Sequence, residues 1–320
     1  MRRDTWLHGR FVNGLQSIGL LAMLGGLMAY LAWVLAGPLF AVLAVAGVVW
    51  LYAATPAIAG QLVLAVFRCR PLTYHEAPGL HQLLQLLAGR AGLPRVPQLY
   101  YLPSAAMNAF TVGGREQAAI AMSDGMLRRM DGTELAGVLA HEISHLRHGD
   151  VRVMTFADLV SRVTKLLSTV GQFLILINLP LLLLGAVQLP WLPVLVLAFA
   201  PLASDLIQLA LSRVREYDAD LGAAELLGDP LPLVRALDKL ERYQGGWLER
   251  LFGPGRRMSE PSLLRTHPPT EERIRRLLAL RESPEFRAAL PAWPPHLPEE
   301  QLFLGDPPPR QRWRRGGFWF

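Results

Sequence analysis

Four long apolar runs constrain the fold of this chain more than any other feature of its sequence. Each run extends for about 20 residues or more, which is enough for a helix to cross the roughly 30 Å hydrocarbon core of a bilayer. We therefore predict four transmembrane helices, paired into two hairpins by turns at Gly37-Pro38 and at residues 188–190. The runs cover Leu15–Ala36, Leu39–Val66, Leu166–Val187 and Trp191–Leu211.

Each pair of runs has an alternative explanation. The first run is similar to the apolar part of a cleaved signal peptide, but it is too long for that part, and a second run follows at once. The second pair would also suit a hairpin buried in a protein core, although two runs of about 20 residues favour membrane spans. Asp205 lies inside the fourth run near its charged end, where pairing with Arg162 or Lys165 would offset the charge.

The basic residues that flank the runs predict the orientation of the chain in a membrane. Arginines precede the first run and follow the second, and the second pair of runs has the same pattern at its two ends. Because cytoplasmic loops carry an excess of arginine and lysine, we expect all these ends in the cytoplasm. The residues concerned are Arg2, Arg3, Arg10, Arg68, Arg70, Arg152, Arg162, Lys165, Arg213 and Arg215.

The composition supports a membrane protein and restricts its partners. Hydrophobic residues make up 52% of the chain and charged residues 18%, and the mean hydropathy of +0.26 is high for a soluble protein. The net charge is +6. The arginines lie beside apolar runs rather than in patches interleaved with aromatic residues, so we expect a lipid bilayer and no nucleic acid as partner. Cys69 is the single cysteine, which excludes an intramolecular disulfide.

The pentapeptide HEISH predicts a catalytic metal site. A capping box at residues 131–134 and a stop at Gly149 place the pentapeptide inside one helix. His141 and His145 then lie one turn apart on the same side, where both imidazoles can bind one zinc ion. Glu142 stands beside them to act on a zinc-bound water. The alternative is a surface helix that carries two histidines by chance.

A second helical segment, Ser212–Leu227, offers a third ligand. Its Glu216 would complete a His-His-Glu set and leave one zinc position open for water, as in catalytic sites. Asp220 follows one turn later and can accept the other ring proton of a ligating histidine. The alternative for Glu216 is a solvated carboxylate beside neighbouring arginines. Because Glu216 comes about five residues after the fourth apolar run, or roughly 7 Å along a helix, we expect the zinc near the membrane surface.

The part of the chain before the HEISH helix predicts a small sheet. An amphipathic helix at His75–Ala91 is followed by short strands at Val96–Leu102 and Ala118–Met122. Between these strands, Met107–Gly114 is an extended segment that ends in a glycine pair. An ordinary edge strand and turn is one explanation. An edge strand beside a zinc helix can also pair with an extended peptide, which gives Asn108 a role in holding the substrate backbone.

The C-terminal part adds one further candidate residue. Leu231–Tyr243 and Thr270–Leu280 are predicted as helices, and His267 precedes the second of them. His267 is either a surface residue before a turn or a group that stabilises the oxyanion of the tetrahedral intermediate. Residues 291–320 are rich in proline and end in a basic, aromatic stretch. We expect this tail to be disordered or to lie on the membrane surface.

Four motifs together resemble a known family. HEISH before the third run, EYDAD after the fourth, MNAF upstream and THPPTEERI downstream resemble the HtpX-type membrane zinc metalloproteases and, more distantly, the CAAX prenyl endopeptidases. The resemblance covers about residues 10–280. It implies a gluzincin-like catalytic domain on the cytoplasmic side of a bacterial inner membrane, with misfolded or damaged membrane proteins as substrates.

The same resemblance implies a role for each site residue. One zinc ion per chain would be held by His141, His145 and Glu216, with Glu142 as general base. Asn108 matches the family's substrate-side asparagine, and His267 matches its histidine-proline-proline position.

The predicted fold class is therefore mainly α with a small β-sheet, combining four transmembrane helices with a gluzincin-like zinc metalloprotease domain. The predicted divisions are an N-terminal membrane hairpin over 1–67, a first catalytic part over 68–165, a second membrane hairpin over 166–211, a second catalytic part over 212–290, and the tail over 291–320.

Three functions remain open from the sequence. The first is a quality-control endopeptidase that cleaves unfolded or membrane-protein substrates. The second is a CAAX-type prenyl-protein endopeptidase, which four spans disfavour. The third is a catalytically silent membrane scaffold, which the intact ligand set and Glu142 disfavour.

Overall fold

The chain falls into two compact units, each built from two separate stretches of sequence. Within the described residues, the sheet unit takes those between Pro56 and Val151 and those from Glu216 onward. The helical unit takes Asp4–Thr55 and Arg152–Arg215. The divisions after residues 67, 165 and 211 that the sequence suggests stay a prediction. The structure is a computed structural model that describes residues 4–54, 58–184, 191–244, 269–283 and 286.

A four-stranded sheet forms the centre of the sheet unit. Its strands lie in the order β1-β2-β4-β3, with β2 and β4 parallel and the two outer pairs antiparallel. Strand β3 is therefore an edge strand of the sheet, as the sequence predicts for this segment. The strands cover β1 Arg70–Pro71, β2 Gln98–Leu102, β3 Ala109–Gly114 and β4 Gln117–Ser123.

Helices surround this sheet, and most of them match predicted helices. Helix α4 begins at Pro78, three residues after the predicted start. The sequence also predicts Thr270 as the N-cap of α11, but Thr270 is the first helical residue and Pro269 precedes it as the cap. Helix ends commonly differ by one or two residues between assignments. The helices of the sheet unit are α3 Ile58–Val66, α4 Pro78–Arg90, α5 Asp124–Arg129, α6 Gly132–His148, α10 Leu231–Gln244 and α11 Thr270–Glu282.

Both faces of the sheet are buried, because alternate residues of its strands pack in opposite directions. Ile120 and Met122 of β4 pack in the main core with α4 and α6. Ala119 and Ala121 of the same strand pack in a smaller core that includes Leu64 of α3. The sheet is therefore covered on two sides, and the main core holds α6 against one of them.

Helix α6 is bounded by local interactions that the sequence predicts. Asp131 accepts a hydrogen bond from the N–H of Glu134, whose side chain accepts from the N–H of Asp131, so the capping box is complete. The helix ends at Gly149, which has a φ of +72°. A left-handed residue at this place satisfies the last carbonyl groups of the helix and favours glycine.

A close backbone contact attaches α10 to α6. A Cβ atom at Gly137 would lie 2.6 Å from the N atom of Leu233 and from the carbonyl carbon of Pro232. Only glycine allows the two helices to approach this closely, so α10 packs directly on the helix that carries the HEISH pentapeptide.

The helical unit contains long apolar helices. Among the described residues, three helices are long and apolar enough to cross a membrane, namely Val12–Ala36, Asp150–Ile177 and Trp191–Leu227. Pro38–Trp50 is a shorter apolar helical stretch, so four spans remain a prediction. The full helices are α1 Asp4–Ala36, α2 Pro38–Ala54, α7 Asp150–Ile177, α8 Leu179–Leu183 and α9 Trp191–Leu227. The predicted turn at residues 188–190 lies outside the described residues.

The second apolar run is divided between the two units. Helix α2 covers Pro38–Ala54 in the helical unit, and α3 covers Ile58–Val66 in the sheet unit, with residues 55–57 outside the described residues. There Leu64 and Phe67 pack near Phe110 of the sheet. The difference arises because a short apolar run suits a buried core helix as well as part of a membrane span.

Polar contacts join α7 and α9 inside the helical unit. Asp205 forms an ion pair with Lys165, one of the two partners expected from the sequence. Pro201 lies within α9 and has no N–H, which leaves the carbonyl of Leu197 without its helical partner. Ser168 and Gln172 of α7 both donate to that carbonyl, the latter at 3.0 Å. The two helices are thus linked where the ladder of helical hydrogen bonds is interrupted.

Candidate metal centre

Helices α6 and α9 bring two histidines and a glutamate together. The Nε2 atoms of His141 and His145 are 3.1 Å apart. Glu216 approaches both, with carboxylate oxygens 3.4 Å from Nε2 of His141 and 3.7 Å from Nε2 of His145. All three side chains offer a ligand atom within 4.8 Å of the others, and His141 and Glu216 are buried. The arrangement is a compact set of metal donors.

A carboxylate lies beside the second ring nitrogen of each histidine. Asp220 Oδ1 is 3.1 Å from Nδ1 of His141, at ion-pair distance although not aligned as a hydrogen bond. Asp150 Oδ2 is 2.8 Å from Nδ1 of His145 and is hydrogen-bonded to it. A carboxylate at Nδ1 keeps the proton on that atom and leaves the Nε2 lone pair for a metal. Both Nε2 atoms therefore face the same point.

Arg273 of α11 compensates the negative charge of this cluster. Its Nε and Nη2 atoms donate to the two oxygens of Asp220 at 2.8 and 2.6 Å, and Nη1 lies 3.3 Å from Glu216. The side chain is only 6% exposed. Burial disfavours its charged form, but Asp220 and Glu216 outweigh this and raise the pKa of Arg273. This guanidinium therefore stays charged and holds both carboxylates in place.

Protons compete with a metal for His141. Burial disfavours the imidazolium form, but the neighbouring carboxylates of Asp220 and Glu216 outweigh this effect and raise the pKa of His141 to about 10. The same negative surroundings attract a divalent cation.

Glu142 projects from α6 toward strand β3. Its Oε2 accepts a hydrogen bond of 2.6 Å from the hydroxyl of Thr111. Glu142 follows His141 on α6 and lies outside the three-residue donor set. Its charge also acts on Arg273 of the centre, whose pKa it helps to raise. The role of Glu142 as general base stays a prediction.

Asn108 lies directly before β3 and is held by its backbone. Its N–H donates to Oγ of Ser123, and its carbonyl accepts from the N–H of Ser123, both at 2.9 Å. Met107 and Ala109 on either side pack in the main core, whereas Phe110 packs in the smaller core. By the alternation of an extended chain, the Asn108 side chain lies on the Phe110 face.

The residues predicted from sequence thus divide into three groups. His141, His145 and Glu216 come together with Asp220 beside them, and Glu142 lies next to this cluster. Asn108 is placed at the start of the edge strand. His267 lies outside the described residues.

Three residues of the centre were not identified from the sequence. Asp150 had a local signal, because it follows the glycine that ends α6 and lies five residues after His145. Arg273 lies in the THPPTEERI motif and Thr111 directly follows the MNAF motif, but neither motif gave these residues a role. Each is separated from its partner by a long stretch of chain.

The residues present fit a zinc ion. Two imidazole nitrogens and one carboxylate oxygen form the protein donor set of catalytic zinc sites, in which a fourth position stays open. The Nε2 atoms of His141 and His145 are 3.1 Å apart, close enough for both to bind one cation. Carboxylates at both Nδ1 atoms are the usual outer partners of zinc-binding histidines.

Comparisons with known proteins place this chain among proteases. Residues 74–281 match the profile of Peptidase family M48. A "Protease HtpX homolog" of Ralstonia pickettii is 34% identical over 245 residues, covering 71% of this chain and 82% of that protein. Those of Sulfurihydrogenibium and Methanocaldococcus jannaschii are 32% and 35% identical, covering 83% and 84% of this chain and 95% and 98% of theirs.

One solved structure is also similar in outline. The crystal structure of S. mikatae Ste24p matches with a TM-score of 0.47 and 20% identity, covering 84% of this chain and 66% of that chain.

Proposed function

This chain belongs to peptidase family M48 and is a metalloprotease with apolar helices suited to a membrane, and on that premise we propose that it is a zinc-dependent endopeptidase of misfolded or damaged membrane proteins. The observation that carries the proposal is the convergence of His141, His145 and Glu216 beside Glu142. The choice of substrate follows what the resemblance to the HtpX-type proteases implies, and the relatives support the protease activity.

In this proposal each residue of the centre has a defined task. His141, His145 and Glu216 would hold one zinc ion, which on binding lowers the pKa of a water toward about 7 and polarises the scissile carbonyl. Glu142 takes a proton from the attacking water and returns it to the leaving amine. Asp220 and Asp150 keep the two imidazoles in the tautomer that leaves Nε2 free to bind.

The outer edge of β3 supports an extended substrate. Within the described residues no strand pairs with this edge, and its residue Thr111 contacts Glu142. Helix α3 comes close only near the end of the strand, where a Cβ atom at Gly60 would lie 3.4 Å from the N atom of Gly113. A peptide that adds to this edge as a further strand would pass beside the base. Asn108, at the start of the strand, would help to hold the substrate backbone, and His267 would stabilise the developing oxyanion.

The proposed location is a bacterial inner membrane, with the catalytic residues in the cytoplasm. Support comes from the apolar helices, the flanking arginines and the HtpX relatives. A reporter that is active only in the cytoplasm, fused after Leu280, should give a signal, and the matching periplasmic reporter should give none. The reverse pattern would overturn this orientation.

Cleavage of an unfolded test protein measures the proposed activity. We expect the purified full chain in detergent to cleave casein, to lose this activity with a zinc chelator and to recover it when zinc is added back. Glu142→Gln should retain zinc but cleave at background rate, because the base is lost while the ligands remain. Chelator-resistant cleavage, or cleavage by Glu142→Gln at the wild-type rate, would contradict the proposal.

A further inference from the structure

The hydrogen bond between Thr111 and Glu142 connects the edge strand with the general base. The hydroxyl of Thr111 lies 2.6 Å from Oε2 of Glu142, and the two residues are 31 positions apart in the sequence. A hydrogen bond to a charged group is shorter and stronger than one between neutral groups. The contact therefore restricts the rotation of a side chain whose direction decides whether it reaches the attacking water.

The backbone of Thr111 faces the free edge of the sheet. In an antiparallel pair the residues that bond to the partner strand alternate with residues that point away from it. Asn108 bonds to Ser123 of β4 through its backbone carbonyl. Because this pattern repeats every two residues, the backbone groups of Phe110 and Val112 also bond to β4. The N–H and C=O groups of Ala109 and Thr111 therefore point away from β4, toward the outer edge.

Thr111 can therefore contact both the substrate and the general base. Its outward backbone groups are those that an added substrate strand would use, and its side chain holds Glu142. We propose that Thr111 is a positioning residue that aligns Glu142 with a substrate bound along β3. This inference rests on the proposed endopeptidase function and adds a residue to it.

A geometric role of this kind predicts a particular kinetic effect. Displacing a reacting group by about 1 Å can lower the rate by about a hundredfold. Thr111→Val keeps the shape and the β-branched side chain but removes the hydroxyl, so backbone pairing along β3 is preserved. We expect kcat for casein cleavage to fall by about ten- to a hundredfold with KM changed by less than about threefold. Thr111→Ser keeps the hydroxyl and should restore kcat to within about threefold.

Thr73 offers a matched control in the same unit. Its hydroxyl donates to the carboxylate of Glu76 at 2.9 Å. Thr73→Val therefore removes a threonine–glutamate hydrogen bond of the same kind, between two residues that are not part of the metal centre. We expect its kcat and KM to equal those of the wild type. Zinc content and melting temperature should be the same in Thr111→Val, Thr111→Ser and Thr73→Val.

A second measurement does not depend on turnover. In zinc-loaded Glu142→Gln, bound casein should slow hydrogen–deuterium exchange of the backbone amides of residues 109–114, because substrate pairs with the outward groups of β3. Unchanged exchange in this segment at saturating casein would overturn the coupling between substrate and Thr111.

The outcomes separate this inference from the proposed function. Wild-type kinetics in Thr111→Val, or an equal loss of kcat in Thr111→Val and Thr111→Ser, would remove Thr111 as a positioning residue. A zinc-independent wild type, or a fully active Glu142→Gln, would instead contradict the endopeptidase function itself. Loss of kcat in Thr111→Val with rescue by Thr111→Ser supports the inference.

Discussion

Asp150 accepts a hydrogen bond from Nδ1 of His145 at 2.8 Å, from a position just beyond the glycine that ends the HEISH helix. The aspartate is buried and is the first residue of the next helix, so its carboxylate is held in place by the start of α7. A carboxylate so placed fixes the ring and its tautomer before a metal arrives. The turn after α6 therefore contributes to the metal centre as well as to the fold.

Replacing Asp150 should weaken zinc binding without removing a ligand. We expect Asp150→Asn to lower zinc affinity by about 10- to 100-fold, the usual effect of losing an outer carboxylate partner of a metal-binding histidine. Competition with a calibrated chelator measures this change. Asp238→Asn, which alters an exposed aspartate paired with Arg242, is the control and should bind zinc like the wild type. Equal affinities in the two variants would leave Asp150 as a helix-capping residue only.

Replacing Glu216 should remove one metal ligand. We expect one zinc per chain in the wild type and severe loss in Glu216→Ala, because three protein donors are needed for a catalytic zinc site. Metal analysis after dialysis against a weak chelator gives the stoichiometry. Glu225→Ala, on the same helix but paired with Arg147, should keep its zinc. Full zinc occupancy in Glu216→Ala would exclude this residue as a ligand.

Asn108 should affect substrate binding more than chemistry. If it helps to hold the substrate backbone at the start of β3, Asn108→Ala should mainly raise KM, with a smaller loss of kcat. Steady-state kinetics on casein distinguish the two effects. Zinc content should be unchanged. A loss confined to kcat would assign Asn108 to the reaction step instead.

His267 should show the opposite kinetic signature. Loss of one oxyanion donor elsewhere lowers kcat by about a hundredfold or more with little change in KM, and we expect the same for His267→Ala. Zinc should be retained. Wild-type kinetics in a zinc-loaded His267→Ala would reduce the histidine to a structural residue before Pro268-Pro269.

The hydrogen bonds that Ser168 and Gln172 donate to the Leu197 carbonyl should contribute most to stability while Pro201 interrupts α9. Replacing Ser168 by Ala together with Gln172 by Leu should destabilise the chain by about 0.6–1.7 kcal/mol per lost hydrogen bond, because the Leu197 carbonyl loses both donors. In a Pro201→Ala background, alanine restores the helical N–H, so the same double change should have less effect. Unfolding in detergent measures this cycle.

Thr169→Ala is the control for that cycle. Its hydroxyl bonds to the Lys165 carbonyl of the same helix and lies on an exposed part of α7. Thr169→Ala should change the stability by the same amount with and without Pro201. An equal effect of the Ser168/Gln172 change in both backgrounds would show that the Leu197 carbonyl does not depend on these donors.

The sequence by itself determined the features that depend on neighbours within a few residues. The capping box at Asp131 and the left-handed Gly149 bound α6 as expected, because both act through bonds between residues three or four apart. The mainly helical fold with a small sheet followed from the spacing of apolar residues. The resemblance to HtpX proteases, carried by four short motifs, is confirmed by the relatives and by the family match.

Only the tertiary structure decided which distant residues meet. An apolar run does not specify whether lipid or a sheet will cover it, and α3 packs on the sheet because its Leu64 finds a partner in Phe110. Thr111 and Arg273 carry no local pattern that connects them to Glu142 and Asp220. Their roles arise from the packing of β3 and α11 around the HEISH helix, since a hydrogen bond requires atoms within about 3 Å whatever their separation along the chain.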